Sequence, residues 1–300
     1  MERTREDLRA AMGELPEVSG PVGEKRLRVE ERESFFIERL VLDLNGYEPV
    51  PAIFVRPKKG TAPRPAVLFN HSHGNLFQIG KRELLDGCEY MLPRGYAYDL
   101  AERGIASLSI DQMCFEERRG RTESAAYKEL IWDGHYMWAW MVFDSLRALD
   151  YLCAREDVDA GRIGTVGMSM GSSMAQWVSA LDERIRACVD ICCLTNYDEL
   201  AAERRFDEHG IYYYIPGLRR KFTTSQLNAL IAPRPHLSFI GRYDNLTPQR
   251  GVDRDEREIR EVYEALGAGE NWTLLRYPVG HVETEEMRAD ALRFFERWLL

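Results

Sequence analysis

A chain of 300 residues with 45% hydrophobic and 11% aromatic content is long enough to bury a sizeable core, as one large α/β domain or two small ones. Its net charge of −9 argues against nucleic acid or an anionic membrane as a main partner. The first residues, Met1 to Asp7, lack the apolar run of a secretory signal, and no stretch has the length of a membrane span. The six cysteines show no Cys-x-x-Cys spacing, and several lie in apolar runs, so buried free thiols and a cytoplasmic location are expected.

Residues 1–33 read as a charged helix and a Pro/Gly-containing connector, a surface arm without chemistry. Residues 34–44 and 47–56 are β-rich and flank Asn45-Gly46, a strong hairpin signal. The short apolar run 66–69 predicts a strand buried on both faces, and it leads into the polar loop His71-Ser72-His73-Gly74-Asn75. A second such strand, 104–110, ends at Asp111 and is followed by a charged loop containing Glu117 and Arg118. That pair either fixes the loop by ion pairing or offers Arg118 to a polar or acidic substrate group.

Trp138, Val142, Leu146, Leu149 and Cys153 recur at helical steps, and Trp138 and Trp140 are expected in packing rather than in a ligand box. Next comes Gly167-Met168-Ser169-Met170-Gly171, at the end of a β-like run and before a small-residue helix. This is the form of a nucleophile elbow, a sharp strand-to-helix turn presenting one serine. Glycines flank the serine because its backbone is strained and larger side chains would crowd strand and helix.

Residues 185–194 predict another buried strand. Residues 196–235 then break the strand–helix rhythm and predict a cap over the catalytic end of the sheet. Within it, an extended Tyr212-Tyr213-Tyr214 would place Tyr212 and Tyr214 on one face and Tyr213 on the other, so that one face anchors and the other lines a pocket. His209 could add a polar contact. Strand 236–240 leads to Asp244, a helix spans 253–266, and strand 272–276 leads to His281 before a final helix. Repeated strand–helix units predict a mostly parallel sheet with helices on both faces, residues 34–300 forming that domain.

Serine catalysis needs a base and an acid that orients it, and such groups belong just past the carboxyl ends of strands. Asp244 and His281 occupy such positions, and the chain order Ser169, Asp244, His281 is that of the α/β-hydrolase triad. Asp190 and Asp111 are the rival acids. The N–H groups of Met170 and of His73, with Gly74 the other candidate, are expected to receive the oxyanion. The histidine pair of that loop lacks a third ligand within sequence reach, so a metal is not expected.

From about Ser34 onward the chain resembles the α/β-hydrolase superfamily, within the serine esterases related to dienelactone hydrolases and acetyl xylan esterases. The resemblance rests on the 71–75 loop, the Asp111 loop leading to Glu117-Arg118, the elbow, Ile231-Ala232-Pro233-Arg234-Pro235, and Gly280-His281. It implies hydrolysis of small carboxylic esters, among them acetylated carbohydrates, through an acyl-serine without metal or organic cofactor. Two departures stand out. Ser169 replaces the cysteine of the dienelactone hydrolases proper, and Ser72 stands where relatives often have glycine. A peptidase of the prolyl-oligopeptidase kind shares this core, although no propeller precedes it, and a non-catalytic binding protein is the third possibility.

Overall fold

The buried apolar runs become the middle of a nine-stranded sheet ordered β1-β2-β3-β5-β4-β6-β7-β8-β9. The strands are β1 Gly23–Glu31, β2 Phe35–Asp43, β3 Val50–Pro57, β4 Arg64–Asn70, β5 Ala106–Ile110, β6 Val158–Met168, β7 Ile185–Ile191, β8 His236–Gly241 and β9 Trp272–Tyr277. The structure, a computed structural model, describes residues 3–300. From β5 to β9 every neighbouring pair is parallel, whereas β1, β2 and β3 form an antiparallel ribbon joined through β3 to β5. Strands β4, β5 and β8 are buried almost end to end, as a sheet covered on both faces requires.

Helices Met137–Ala154 and Met170–Leu181 cover one face, and Tyr96–Glu102 and Glu285–Leu299 cover the other. Trp138 and Trp177 meet edge to face at 6.3 Å in the first layer. Among the described residues no helix is long and apolar enough to cross a membrane.

The N-terminal segment departs from expectation. Residues read as connector form β1, which pairs along its length with β2, from Gly23 opposite Asp43 to Glu31 opposite Phe36. Its alternating charges hid it, because an edge strand exposed on both faces carries no apolar periodicity. The preceding helix, Arg5–Ala11, is closed by a capping box between Thr4 and Asp7 and buries Leu8 and Ala11. It is packed onto the body and is not a free arm.

The hairpin is also wider than Asn45-Gly46 suggests. Asn45 Oδ1 accepts the N–H groups of Tyr47 and Glu48 at 2.9 and 3.0 Å, and its amide donates to Asp144 at 2.8 Å. The side chain thus ties the turn to a helix instead of closing a two-residue loop.

Helix Gln249–Ala265 carries a buried acid beneath the long 196–235 segment. Asp255 accepts a 2.9 Å hydrogen bond from Asn196 through Oδ1, while its Oδ2 has no partner among the described residues. Burial pushes its carboxyl up to about 8. The folded state therefore holds this proton more tightly than the unfolded chain does. Its stabilising contribution is complete below the ordinary aspartate range and is lost as pH rises through about 8. Asp255→Asn should flatten the fall in urea midpoint between pH 5 and pH 8; parallel profiles for the two proteins would remove Asp255 as its source.

Candidate active site

β6 ends at Met168, and the chain turns at Ser169 with φ 59° and ψ −117° before helix Met170–Leu181 begins. This left-handed conformation is costly for a residue with a side chain. Its neighbours explain why it persists. A Cβ on Gly171 would lie 2.0 Å from the Asn70 carbonyl oxygen, and one on Gly167 would lie 2.3 Å from the Gly171 carbonyl. Strand β6, the helix and the end of β4 touch backbone to backbone, which only glycine permits. The Ser169 N–H donates to Ile191 O at 2.9 Å, tying the turn to β7.

His281 stands in the loop after β9, and its Nδ1 lies 2.8 Å from Asp244 Oδ2. Asp244 is buried, and its other oxygen accepts the Leu246 N–H at 2.9 Å. An ionised carboxylate only accepts, so the imidazole proton sits on Nδ1 and the Nε2 lone pair is left available. The two loops are joined by backbone bonds from Arg242 to Tyr277 O and from Tyr243 to Val279 O, at 2.8 and 2.9 Å. The Cys192 thiol lies beside this pair, and burial raises its pKa, keeping it protonated.

The rival acids have other partners. Asp190 is buried inside β7, 2.6 Å from His236 Nε2, and accepts from Ser238 and Gln176 at 2.8 and 3.0 Å. Asp111 receives the Lys81 ammonium and the Lys81 N–H, both at 2.8 Å. Of the three acids, Asp244 is the one hydrogen-bonded to His281. The Cys188–Asp190–His236, Cys192–Asp244–His281 and Asp111–Glu116–Glu117 groups each bring three potential metal ligands together. In the first the imidazole already answers the carboxylate, and in the third Lys81 reaches all three acids.

The loop after β4 holds both of its histidines by local bonds. His71 Nδ1 donates to Ser72 O at 2.8 Å and its Nε2 accepts the Gln112 N–H at 3.0 Å. Burial lowers its pKa to about 4, so it is neutral. His73 Nε2 meets Glu123 at 2.8 Å, and its Nδ1 accepts the Asn75 N–H at 3.1 Å. All four ring nitrogens are occupied, leaving no lone pair for a shared ion. Neither the His73 N–H nor the Met170 N–H has an acceptor among the described residues.

Residues 196–235 run between β7 and β8 as short helices and single 3₁₀ turns. The expected alternation of the three tyrosines does not occur. Ile211–Tyr213 is a 3₁₀ turn closed by a 3.1 Å bond from the Tyr213 N–H to Gly210 O, so consecutive rings fan out instead of alternating. Tyr212 stacks on His73 at 5.1 Å and packs on Trp138 at 5.4 Å. Tyr213 stacks on His209 at 5.0 Å, and His209 Nε2 lies 3.1 Å from Leu246 O, two residues beyond Asp244. The Tyr214 hydroxyl donates to Phe206 O, an internal anchor of the segment.

Arg118 is corrected as a substrate contact. Its guanidinium is buried and donates to Asp144 and Asp111 O, both at 2.8 Å, and to Glu48 at 2.5 Å. It binds three segments of the protein to one another. Glu83, Tyr90 and Glu123, which surround the 71–75 loop, carry no motif, and nothing in the spacing of the sequence marks them.

The acetyl xylan esterase (AXE1) family model matches residues 19–217. The Bacillus subtilis (strain 168) protein YtaP is 46% identical over 295 residues, covering 98% of each chain. Among solved structures, a glucuronoyl esterase from Solibacter usitatus superposes with a TM-score of 0.72 at 17% identity, covering 97% of this chain and 91% of its own. An acetyl xylan esterase from Paenibacillus sp. R4 does so with a TM-score of 0.64 at 20% identity, covering 100% of this chain and 96% of its own. At such identities the two superpositions speak for the fold. With the family match and the close relative beside them, the chain belongs to the acetyl xylan esterase family, as an esterase-class hydrolase on the α/β-hydrolase fold.

Proposed function

We propose that the protein hydrolyses small carboxylic esters, acetylated carbohydrates foremost, through an acyl-serine formed on Ser169. The observation that carries this is the His281–Asp244 hydrogen bond on loops that leave the carboxyl ends of β8 and β9, at the same end of the parallel sheet as the elbow that holds Ser169 at positive φ. Asp244 keeps the proton on Nδ1, so His281 Nε2 takes the Ser169 hydroxyl proton as Oγ attacks the carbonyl carbon. The negative charge that develops on the carbonyl oxygen meets the N–H groups of His73 and Met170, the latter at a helix N-terminus. His281 then protonates the departing alcohol. Water, deprotonated by the same imidazole, attacks the acyl-serine and releases the acid.

The family match supports the ester and carbohydrate side of this proposal. The six free thiols fit a reducing cytoplasm. Residues 196–235 act in it as a cap, with Tyr212 and His209 facing the substrate's alcohol side and Tyr214 anchoring the cap.

Ser169→Ala should leave a folded protein whose ester hydrolysis and fluorophosphonate labelling fall by about 10⁴-fold; wild-type turnover in that variant would remove Ser169 as the nucleophile. Asp244→Asn should lower kcat by about 10³–10⁴-fold with little change in KM, because it disturbs the imidazole's tautomer and charge. Asp190→Asn should lower stability instead, and the opposite pattern would transfer the orienting role to Asp190. Tyr212→Ala should change the order in which acetyl and longer esters are preferred, whereas Tyr214→Ala should lower Tm and keep that order. If both variants rank the esters as the wild type does, the cap makes no contribution to selection.

A further inference from the structure

Ser72 and Gly74, the two residues flanking the candidate oxyanion donor, are unexplained by the triad. Their surroundings include a buried acid that the proposed chemistry does not use. Glu83 opens the short helix Glu83–Asp86 and is fully enclosed. One carboxylate oxygen accepts the Ser72 N–H at 3.0 Å, and the other accepts the Ser72 hydroxyl. With that hydroxyl proton committed to Glu83, the 2.8 Å contact between Ser72 Oγ and Tyr90 is a bond donated by the phenol.

Tyr90 closes the other side. Its hydroxyl lies where a side chain on Gly74 would begin, 2.0 Å from an added Cβ, so the loop can meet the ring only through glycine. The ring faces His281 at 6.2 Å, and the Tyr90 carbonyl accepts the Glu283 N–H at 2.8 Å, two residues past His281. A single polar chain, Tyr90 to Ser72 to Glu83, therefore links the loop after β4 to the loop that carries His281.

We infer that Glu83 is a positioning residue: by gripping Ser72 at both its N–H and its Oγ, it holds that residue where the His71 ring bonds its carbonyl, and the peptide plane fixed between the two aims the His73 N–H at the developing oxyanion. This deepens the reaction proposed above and rests on it. The geometry calls for a planar side-chain end carrying two polar atoms. Two acceptor oxygens on one planar group can hold the backbone and the side chain of one residue together, which a hydroxyl or an apolar group cannot. Holding the N–H and Oγ of Ser72 together fixes its φ and χ1, and its carbonyl accepts from His71 Nδ1 at 2.8 Å, so the ψ rotation that would turn the His73 N–H away is held as well. His73 is held from its other side by Glu123 and by the Tyr212 ring. The arrangement is costly to build. No cation pairs with Glu83 among the described residues, and burial pushes its carboxyl up to about 7 against the opposing pull of the Ser72 bonds. A fold that needed only a filled space there would be better served by an apolar side chain.

The test compares Glu83→Leu, Glu83→Gln, Ser72→Ala and Ser169→Ala on an acetyl ester, with the affinity of a small boronic acid that forms a tetrahedral adduct on Ser169. Losing a preorganised oxyanion donor lowers kcat by about 10²–10³-fold. Glu83→Leu should accordingly lower kcat by about 10²-fold with KM within about threefold, and boronate affinity should fall by a similar factor, since both depend on the tetrahedral oxygen. Glu83→Gln, which still accepts the Ser72 N–H and can donate to its Oγ, should recover to within about tenfold of wild type. Ser72→Ala keeps the backbone bond and loses the hydroxyl, so it should lower kcat by about tenfold and decides the matter if Glu83→Leu fails to fold. Wild-type kcat and boronate affinity in folded Glu83→Leu, or in Ser72→Ala, would overturn the positioning role while an inactive Ser169→Ala leaves the reaction scheme standing. An active Ser169→Ala would show instead that the scheme beneath it is wrong.

Discussion

The absence of space around the Asn70 carbonyl is the constraint on which the rest of the site depends. Two glycines, Gly167 before the elbow and Gly171 after it, bring β6 and its helix against that one oxygen. The end of β4 is itself pinned to β6, since the Asn70 amide donates to Thr165 Oγ1 at 2.8 Å and that hydroxyl donates to Leu68 O at 2.9 Å. The contact does more than hold Ser169 at positive φ. The loop bearing His71, Ser72 and His73 leaves β4 from Asn70, so one point of close packing sets the serine and the candidate oxyanion donor relative to each other. A methyl group at either glycine would part them.

Around that point the protein sorts its buried acids by giving each a different partner. Asp190 meets an imidazole inside the sheet, Asp111 meets Lys81, Asp144 meets Arg118, and Asp244 meets His281. A carboxylate already paired with a cation, or already accepting from an imidazole, gains little from a second such partner, so each pairing excludes the alternatives. Arg118 extends the same logic to architecture. It joins the β2–β3 turn, the loop after β5 and the helix Met137–Ala154, so the antiparallel ribbon is tied to the parallel sheet by charge as well as by strand pairing.

The 196–235 segment is held on different terms. Towards its middle the contacts with the body are mostly rings, Tyr212 on His73 and Trp138 and Tyr213 on Trp138, while its ends are tied by hydrogen bonds and an ion pair, Asn196 to Asp255, Glu199 to Arg254, and Arg234 to the carbonyls of Ser179, Asp182 and Ile185. The Tyr212 ring thereby brings the segment directly against His73.

The sequence by itself determined the elements whose local signal is strong: the buried parallel strands, the long helix behind Trp138, the elbow, and the placement of Asp244 and His281 after successive strands. Apolar periodicity and glycine spacing are properties of neighbouring residues, so they can be read without a fold. β1 escaped because an exposed edge strand has no apolar face, and the tyrosine run was misjudged because extended and 3₁₀ backbones look alike over three residues. Which acid meets His281, where Arg118 points, and the enclosure of Ser72 between Glu83 and Tyr90 were decided only by tertiary structure. Each is a contact between different elements of the fold, and its energy comes from burial and geometry that no local pattern encodes.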